Sequence, residues 1–355
     1  MKKKIDFEYL NSWIKGKWKG VVRRWDMCSV PGLYVRKDHI IQYQREVLRR
    51  SFLSFQSIDE LSQSIPFEWV ITTDMQEPMY YGAFQELLFY AGFSSITMPP
   101  KMLGIQHGYV FELRTYEKSK FKFRNLVWSK KLVEMYHEYT TSPDIYAIGA
   151  PFFYARSFYD EEKLKSEKKR LGKNLLAFPM HSQIDVNTNY DPHKFLDVLS
   201  EEKKRFDTIR VCMYWKDIQR GAHKIFEDAG YEIVCNGHLL DPNFLRRQKS
   251  LFELADATIS NGVGSHIGYS IFMRKPHWLI DDNYEYVNIL KTGDALDLTS
   301  VTKTENFLSV KNAFLNNKDY KITPEQQNIV DEYWGVSDMK SPEDLKLLLV
   351  KLYEL

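Results

Sequence analysis

The stretch Ser260-Asn261-Gly262-Val263-Gly264-Ser265-His266 sets two glycines among hydroxyl, amide and imidazole side chains. A short apolar run, Ala257 to Ile259, precedes it. A helical pattern, Ser265 to Met273, follows and is stopped by Arg274-Lys275-Pro276. Strand, glycine-rich turn and helix together aim backbone N–H groups and a positive helix end at an anion. Ser260, Asn261 and Ser265 add donors, and His266 adds a cation. The chemistry this suits is the binding of a nucleotide phosphate. The same residues also suit an ordinary βα turn, with Asn-Gly as N-cap and glycines that relieve backbone strain.

Further reactive side chains recur where apolar runs end. Asp74 closes residues 67–73, and Gln106-His107-Gly108 closes Lys101–Gln106. Gly149-Ala150-Pro151 follows Asp144–Ile148, and His181-Ser182 follows Asn174–Phe178. Trp215-Lys216-Asp217 follows Thr208–Tyr214, and Asn236-Gly237-His238 follows Tyr231–Cys235. Asp74 is placed to deprotonate a hydroxyl, or to serve as an Asx turn or helix cap. His107 suits catalysis or phosphate contact, or a structural hydrogen bond. Glu112 suits a base or a partner that orients His107, or a solvated loop carboxylate. His181-Ser182 suits a phosphate grip. Trp215 suits stacking on a base or sugar, and Lys216 suits phosphate pairing, or both are strand-end surface residues.

The elements that must position these groups alternate. Residues 67–73, Lys101–Gln106, Asn125–Trp128 and Asp144–Ile148 read as strands. Met79–Gly92 and Lys130–Tyr139 read as helices, the first ended by Gly92 and the second capped by Ser129. After the charged stretch Asp160–Lys173 the alternation restarts. Strands Asn174–Phe178, Thr208–Tyr214, Tyr231–Cys235, Ala257–Ile259 and His277–Ile280 interleave with helices Pro192–Lys204, Ile218–Ala229 and Asn243–Leu254. Strands alternating with helices imply βαβ units and a parallel sheet. In such sheets ligands bind beyond the carboxyl ends of the strands, which is where the polar clusters fall. Three helical patterns close the chain: Asn306–Leu315, Pro324–Trp334 and Pro342–Tyr353, the leucines of the last read as packing residues.

At 355 residues, two domains are expected. Residues 1–159 form the first, 160–173 a charged linker, 174–305 the second, and 306–355 helices that pack across both. A 44% apolar fraction with 15% aromatics supports large cores, and a net charge of +2 argues against nucleic-acid binding. Cys28, Cys212 and Cys235 lack the pairing and spacing of a disulfide framework or zinc site, and the last two sit in apolar runs that suit a core. No HExxH, strand-end DxD, P-loop, GxGxxG or GxSxG is present, which disfavours a metal centre and the enzyme classes those motifs mark. Asp281-Asp282 is the nearest acidic pair. Neither a signal segment nor a membrane-spanning run is expected, so a cytoplasmic location fits. The start of the chain interleaves Lys2, Lys3, Lys4, Lys15, Lys17, Lys19, Arg23 and Arg24 with Trp13, Trp18 and Trp25. That mixture suits an anionic membrane surface or a polyanionic acceptor, or a solvated face whose tryptophans pack inward.

The motif order Gly104-Ile105-Gln106-His107-Gly108, Ile148-Gly149-Ala150-Pro151, Phe178-Pro179-Met180-His181-Ser182, then Ser260–His266 with Lys275-Pro276, resembles the GT-B glycosyltransferases. It is most similar to the bacterial surface-polysaccharide group that includes sialyltransferases, 3-deoxy-manno-octulosonate (Kdo) transferases and glycerol-phosphate transferases. The resemblance covers roughly residues 68–282. In bacterial sialyltransferases a His-Pro motif and a Ser-Ser motif contact the CMP part of the donor. His181-Ser182 resembles the first, with serine where proline would stand, and Ser260-Asn261 resembles the second, with Asn261 replacing a serine. The resemblance implies an α/β GT-B fold, two Rossmann-like domains facing a cleft, with C-terminal helices. It implies a donor site of His181, Ser182, Trp215, Lys216, Ser260, Asn261, Gly262, Gly264, Ser265 and His266. Catalysis would fall to Asp74, His107 and Glu112, with no metal and no cofactor beyond the nucleotide-sugar substrate. The expected reaction moves a CMP-activated acidic sugar onto a glycan or lipid-linked glycan acceptor of capsule or lipopolysaccharide. A CDP-glycerol or UDP-sugar donor, a sugar-nucleotide epimerase and a non-catalytic polysaccharide-assembly partner are the alternatives.

Overall fold

A computed structural model describes residues 42–65, 78–93, 103–113, 124–138, 144–183, 186–288, 302–315 and 317–353. The strand expected at 67–73, Asp74 at its end, and the basic N-terminal stretch lie outside the described residues.

Two parallel sheets carry the fold. The first joins β1 (Leu103–Ile105), β2 (Arg124–Val127) and β3 (Ile145–Ala147) in the order β1-β2-β3, with Gly104 opposite Asn125 and Asn125 opposite Ile145. The second is built from β4 (Asn174–Phe178), β6 (Thr208–Cys212), β7 (Glu232–Val234), β8 (Ala257–Ser260) and β9 (His277–Leu279). Its order is β7-β6-β4-β8-β9, and every pair is parallel. Growth therefore starts at β4, runs out to one side through β6 and β7, then returns to the other side through β8 and β9. The order of strand addition reverses between β4 and β8, which makes their carboxyl edge the switch point at which Rossmann-like sheets place a ligand crevice. Alternate residues of β4 enter different cores: Leu176 and Phe178 one, Leu175 and Ala177 the other. That is why these strands read as continuous apolar runs.

The α/β architecture of two Rossmann-like sheets with C-terminal helices is as expected. Its details follow local chemistry. Ser129 caps Lys130–His137 by accepting from the Leu132 amide. Gly92, at φ +80°, ends the helix Ala83–Tyr90. The charged stretch after Asp160 forms a regular helix, Glu161–Leu171, with Leu171 buried and Leu164 packed against the core. The helix expected over 218–229 is instead two, Trp215–Gln219 and Lys224–Asp228. Gly221 breaks it in the left-handed region at φ +76°. An antiparallel ribbon of β5 (Val186–Tyr190) and β10 (Tyr284–Asn288) was not expected. Its strands are polar and lie far apart in sequence, so no local pattern announces their pairing.

The helices Glu305–Phe314, Pro324–Trp334 and Pro342–Tyr353 lie where expected. Pro324–Trp334 opens with a capping box between Thr323 and Gln326. It ends in Trp334, whose indole donates to the Ser265 carbonyl at 3.0 Å and whose backbone carbonyl accepts from Ala150 at 3.0 Å. One residue thus joins the first sheet's loops to the helix Ser265–Phe272. Leu345, Leu349 and Leu352 are buried, while Leu347 faces outward. No helix among the described residues is long and apolar enough to cross a membrane.

Candidate functional site

The crevice between β4 and β8 is framed by the two loops that the sequence singled out. Asn261 fastens them together: its Oδ1 accepts from the Met180 amide at 2.6 Å, and its Nδ2 donates to Asp282 at 2.9 Å. A Cβ on Gly262 would overlap the Met180 thioether, so glycine is what lets the loops close up. The helix Ser265–Phe272 starts at Gly264, which offers no side-chain cap. Its amino end contributes a positive dipole.

The Ser182 and Ser260 hydroxyls are committed inside the protein. Ser182 is fully buried. Its amide and hydroxyl donate to Asp217 at 2.9 and 2.7 Å, and its Oγ accepts from Arg220 at 2.7 Å. Ser260 Oγ donates to the Gly262 carbonyl and lies 3.0 Å from His277 Nε2. Lys216 Nζ donates to the carbonyls of Gln183 and Val186, holding the turn into β5. Trp215 lies inside the fold, against the His238 ring at 4.3 Å. Through these contacts the four residues shape the loops.

The histidines divide. His181 is half-buried, with Nδ1 2.8 Å from the Ser182 carbonyl and its ring 4.6 Å from that of Tyr214. His266 stacks on Phe178 at 4.7 Å, and its Nε2 is buried with no hydrogen-bond partner. Burial, with His277 and His181 nearby, holds its pKa well below the usual histidine range. The cation expected at His266 is therefore a neutral ring near pH 7. Burial likewise pushes His277 down to about 3 and His238 to about 4.

The first sheet faces this edge. Gln106 is pinned by Trp128, whose amide donates to its Oε1 at 2.7 Å and whose indole donates to its carbonyl at 2.8 Å. That presents His107 outward, exposed, edge-on to Tyr80 at 5.3 Å and 6.2 Å from the Tyr81 ring. Glu112, on the turn beyond, lies where its charge acts on the Tyr333 phenol. Tyr109 donates to the Val263 carbonyl at 3.2 Å, which joins the His107 loop to the glycine-rich loop.

Two groups went unmarked in the sequence. Tyr81 and Tyr214 meet hydroxyl to hydroxyl at 3.2 Å, one from each half of the chain. They continue a line of rings from His107 through Tyr81 and Tyr214 to His181. Arg220 brings a guanidinium to Ser182 and Asp217. A tyrosine in Met-Tyr-Tyr-Gly or Met-Tyr-Trp has no signature that separates it from a core residue. The Tyr-Gly step at Tyr81-Gly82 was the one available hint of unusual backbone.

Neither a protein-family model nor a curated protein sequence matches the chain. Weak likenesses exist among solved structures. The chain is similar to the wall teichoic acid polymerase TagF, at 13% identity over 71% of this chain and 67% of that one, with a TM-score of 0.37. It is similar to S. aureus MnaA in a co-structure with UDP, at 10% identity over 76% and 78%, TM-score 0.37. It is also similar to UDP-GlcNAc 2-epimerase from Methanocaldococcus jannaschii, at 9% identity over 77% and 81%, TM-score 0.36. Identities and scores this low assign no residue a role, and the site rests on its own geometry.

Proposed function

We propose that the chain is a GT-B-type glycosyltransferase, moving a sugar from a nucleotide donor to a glycan hydroxyl. The observation that carries this reading is the placement of the β4–β8 crevice. Its glycine-rich loop is tied to the His107 loop by the Tyr109–Val263 hydrogen bond, and the two halves meet again at the Tyr81–Tyr214 contact. An anionic leaving group suits the crevice: the loop amides, the helix dipole and His181 are all donors or positive ends. A nucleophilic hydroxyl suits the opposite edge, where the exposed His107 is the proposed base. Asp74 and Glu112 are the further base candidates on that side.

The donor proposed is a CMP-activated acidic sugar of the Kdo or nonulosonic acid type, with transfer to a capsule or lipopolysaccharide acceptor and without a metal. The protein is proposed to work in the cytoplasm, at the inner membrane, with the basic and tryptophan-bearing start of the chain as the contact to anionic lipid. Calorimetric titration with CMP, CDP and UDP tests the donor class. CMP is expected to bind, and His181→Ala to weaken it by roughly 10-fold, as loss of a charge-assisted hydrogen bond does. Binding of CDP or UDP but not CMP shifts the reading to a CDP-glycerol or UDP-sugar donor. Isomerised or hydrolysed nucleotide sugar formed without acceptor favours an epimerase. Binding without any turnover favours an assembly partner, and no binding at all sinks the proposal.

A further inference from the structure

Tyr81 holds a backbone conformation that a bulky residue rarely adopts, at φ +62° and ψ 8°. Such a left-handed position is strained for a bulky side chain and persists only where its surroundings over-determine it. Here they do. The Tyr81 amide donates to the Leu239 carbonyl at 2.6 Å, and its ring packs on Phe244 at 4.6 Å. The next residue, Gly82, is also left-handed at φ +76° and lies so close to the Pro242 carbonyl that no side chain fits. The outcome of this constrained turn is to carry one hydroxyl across to Tyr214.

Tyr214 is held with equal care. It lies two residues beyond the end of β6, stands at the start of the helix Trp215–Gln219, and packs against His181 and Trp215. Burial raises the pKa of Tyr81, and burial with Tyr81 alongside raises that of Tyr214 well above the phenol range. Both phenols therefore keep their protons at any physiological pH. In a hydroxyl–hydroxyl pair only one of those protons lies in the bond, so half of the pair's donor capacity is unspent by it.

We propose that Tyr81 and Tyr214 form a two-donor clamp for the phosphoryl group of the nucleotide ligand, a phosphoryl oxygen replacing the tyrosine–tyrosine bond. The proposal rests on the nucleotide-binding reading above and deepens it. One neutral hydrogen bond is exchanged for two that end on an anion, and charge-assisted bonds are about twice as strong as neutral ones. The clamp takes one donor from each half of the chain, so a bound phosphate ties the halves together through the substrate. The two tyrosines are binding residues: they hold the phosphate and exchange no proton with it.

The test is calorimetric titration of CMP, CDP and UDP into the wild-type chain, Tyr81→Phe and Tyr214→Phe, with ligand-free melting temperatures beside it. Each Phe variant is expected to weaken every nucleotide that the wild type binds by roughly 10-fold, with little change in melting temperature. Affinities within about twofold of wild type in both variants overturn the clamp, as does a lowered melting temperature with affinity intact. Should Tyr81→Phe fail to fold, Tyr214→Phe decides alone. A wild type that binds none of the three nucleotides removes the functional reading and the clamp together, whereas intact wild-type binding with unaffected variants removes the clamp only.

Discussion

His277 is a histidine whose role is structural. It is fully buried, with Nδ1 2.8 Å from Thr258 Oγ1 and Nε2 3.0 Å from Ser260 Oγ. Burial holds its pKa at about 3, against 6.5 in the unfolded chain. The folded state therefore binds fewer protons than the unfolded state between those values, and linkage makes stability fall as pH falls through that window. His266 and His238 are depressed in the same direction and add to the slope. The expected result is a melting temperature that is flat above about pH 7 and declines steadily from pH 6.5 towards pH 4. His277→Gln should give a shallower decline, read by thermal melts across that range. An unchanged slope would show that His277 is not buried neutral.

At the scale of elements, the helix Ser265–Phe272 is set by what packs on it. Phe152 stacks on Tyr269 at 4.2 Å, and Phe153 stacks on Phe272 at 4.1 Å. Gly268 faces the Trp334 ring so closely that a Cβ would lie well inside van der Waals contact. In a solvent-exposed helix Gly268→Ala would stabilise, since alanine is the better helix former by about 1 kcal/mol. Here overpacking against a rigid indole is expected to win, at a typical cost of about 1–3 kcal/mol. Chemical denaturation should show Gly268→Ala as net destabilising, and nucleotide affinity should fall with it if the helix end is displaced. A stabilised variant would mean that the Trp334 contact yields.

Across the whole molecule, the halves are joined by buried aromatic contact and by one enclosed charge cluster. Asp241 bonds Arg247 at 2.9 Å and lies 3.7 Å from Arg50, and all three are fully buried. Arg50 also donates to the Leu61 and Gln63 carbonyls, and Arg247 donates to the Arg50 carbonyl. This cluster fastens residues 42–50 beneath the loop that follows β7. Removing one partner from such a set leaves uncompensated charge, a loss of about 3–5 kcal/mol. Asp241→Ala is expected to destabilise by that amount in urea titration. A loss under about 1 kcal/mol would show that water reaches the two guanidinium groups.

The parallel strands of the second half, their order of helices and the glycine-rich turn were readable from the chain alone. β4, β8 and the helix after β8 are announced by apolar runs, Asn-Gly punctuation and a helical period, all of which are local signals. The bias of polar residues toward the strand ends was readable for the same reason. Which of those residues face the crevice was not. Ser182 and Ser260 carry the chemistry of ligands but spend it inside the fold, Ser182 on Asp217 and Ser260 on the nearby Gly262 carbonyl and on His277; Asp217 and His277 lie too far along the chain to leave a local trace. His266 is a histidine whose charge depends on what surrounds it, and only packing supplies that. The Tyr81–Tyr214 pair exists because a left-handed turn in one half meets a strand end in the other. Residue types and spacings decide what a segment can form; which donors remain free, charged and opposed is decided when distant segments bury one another.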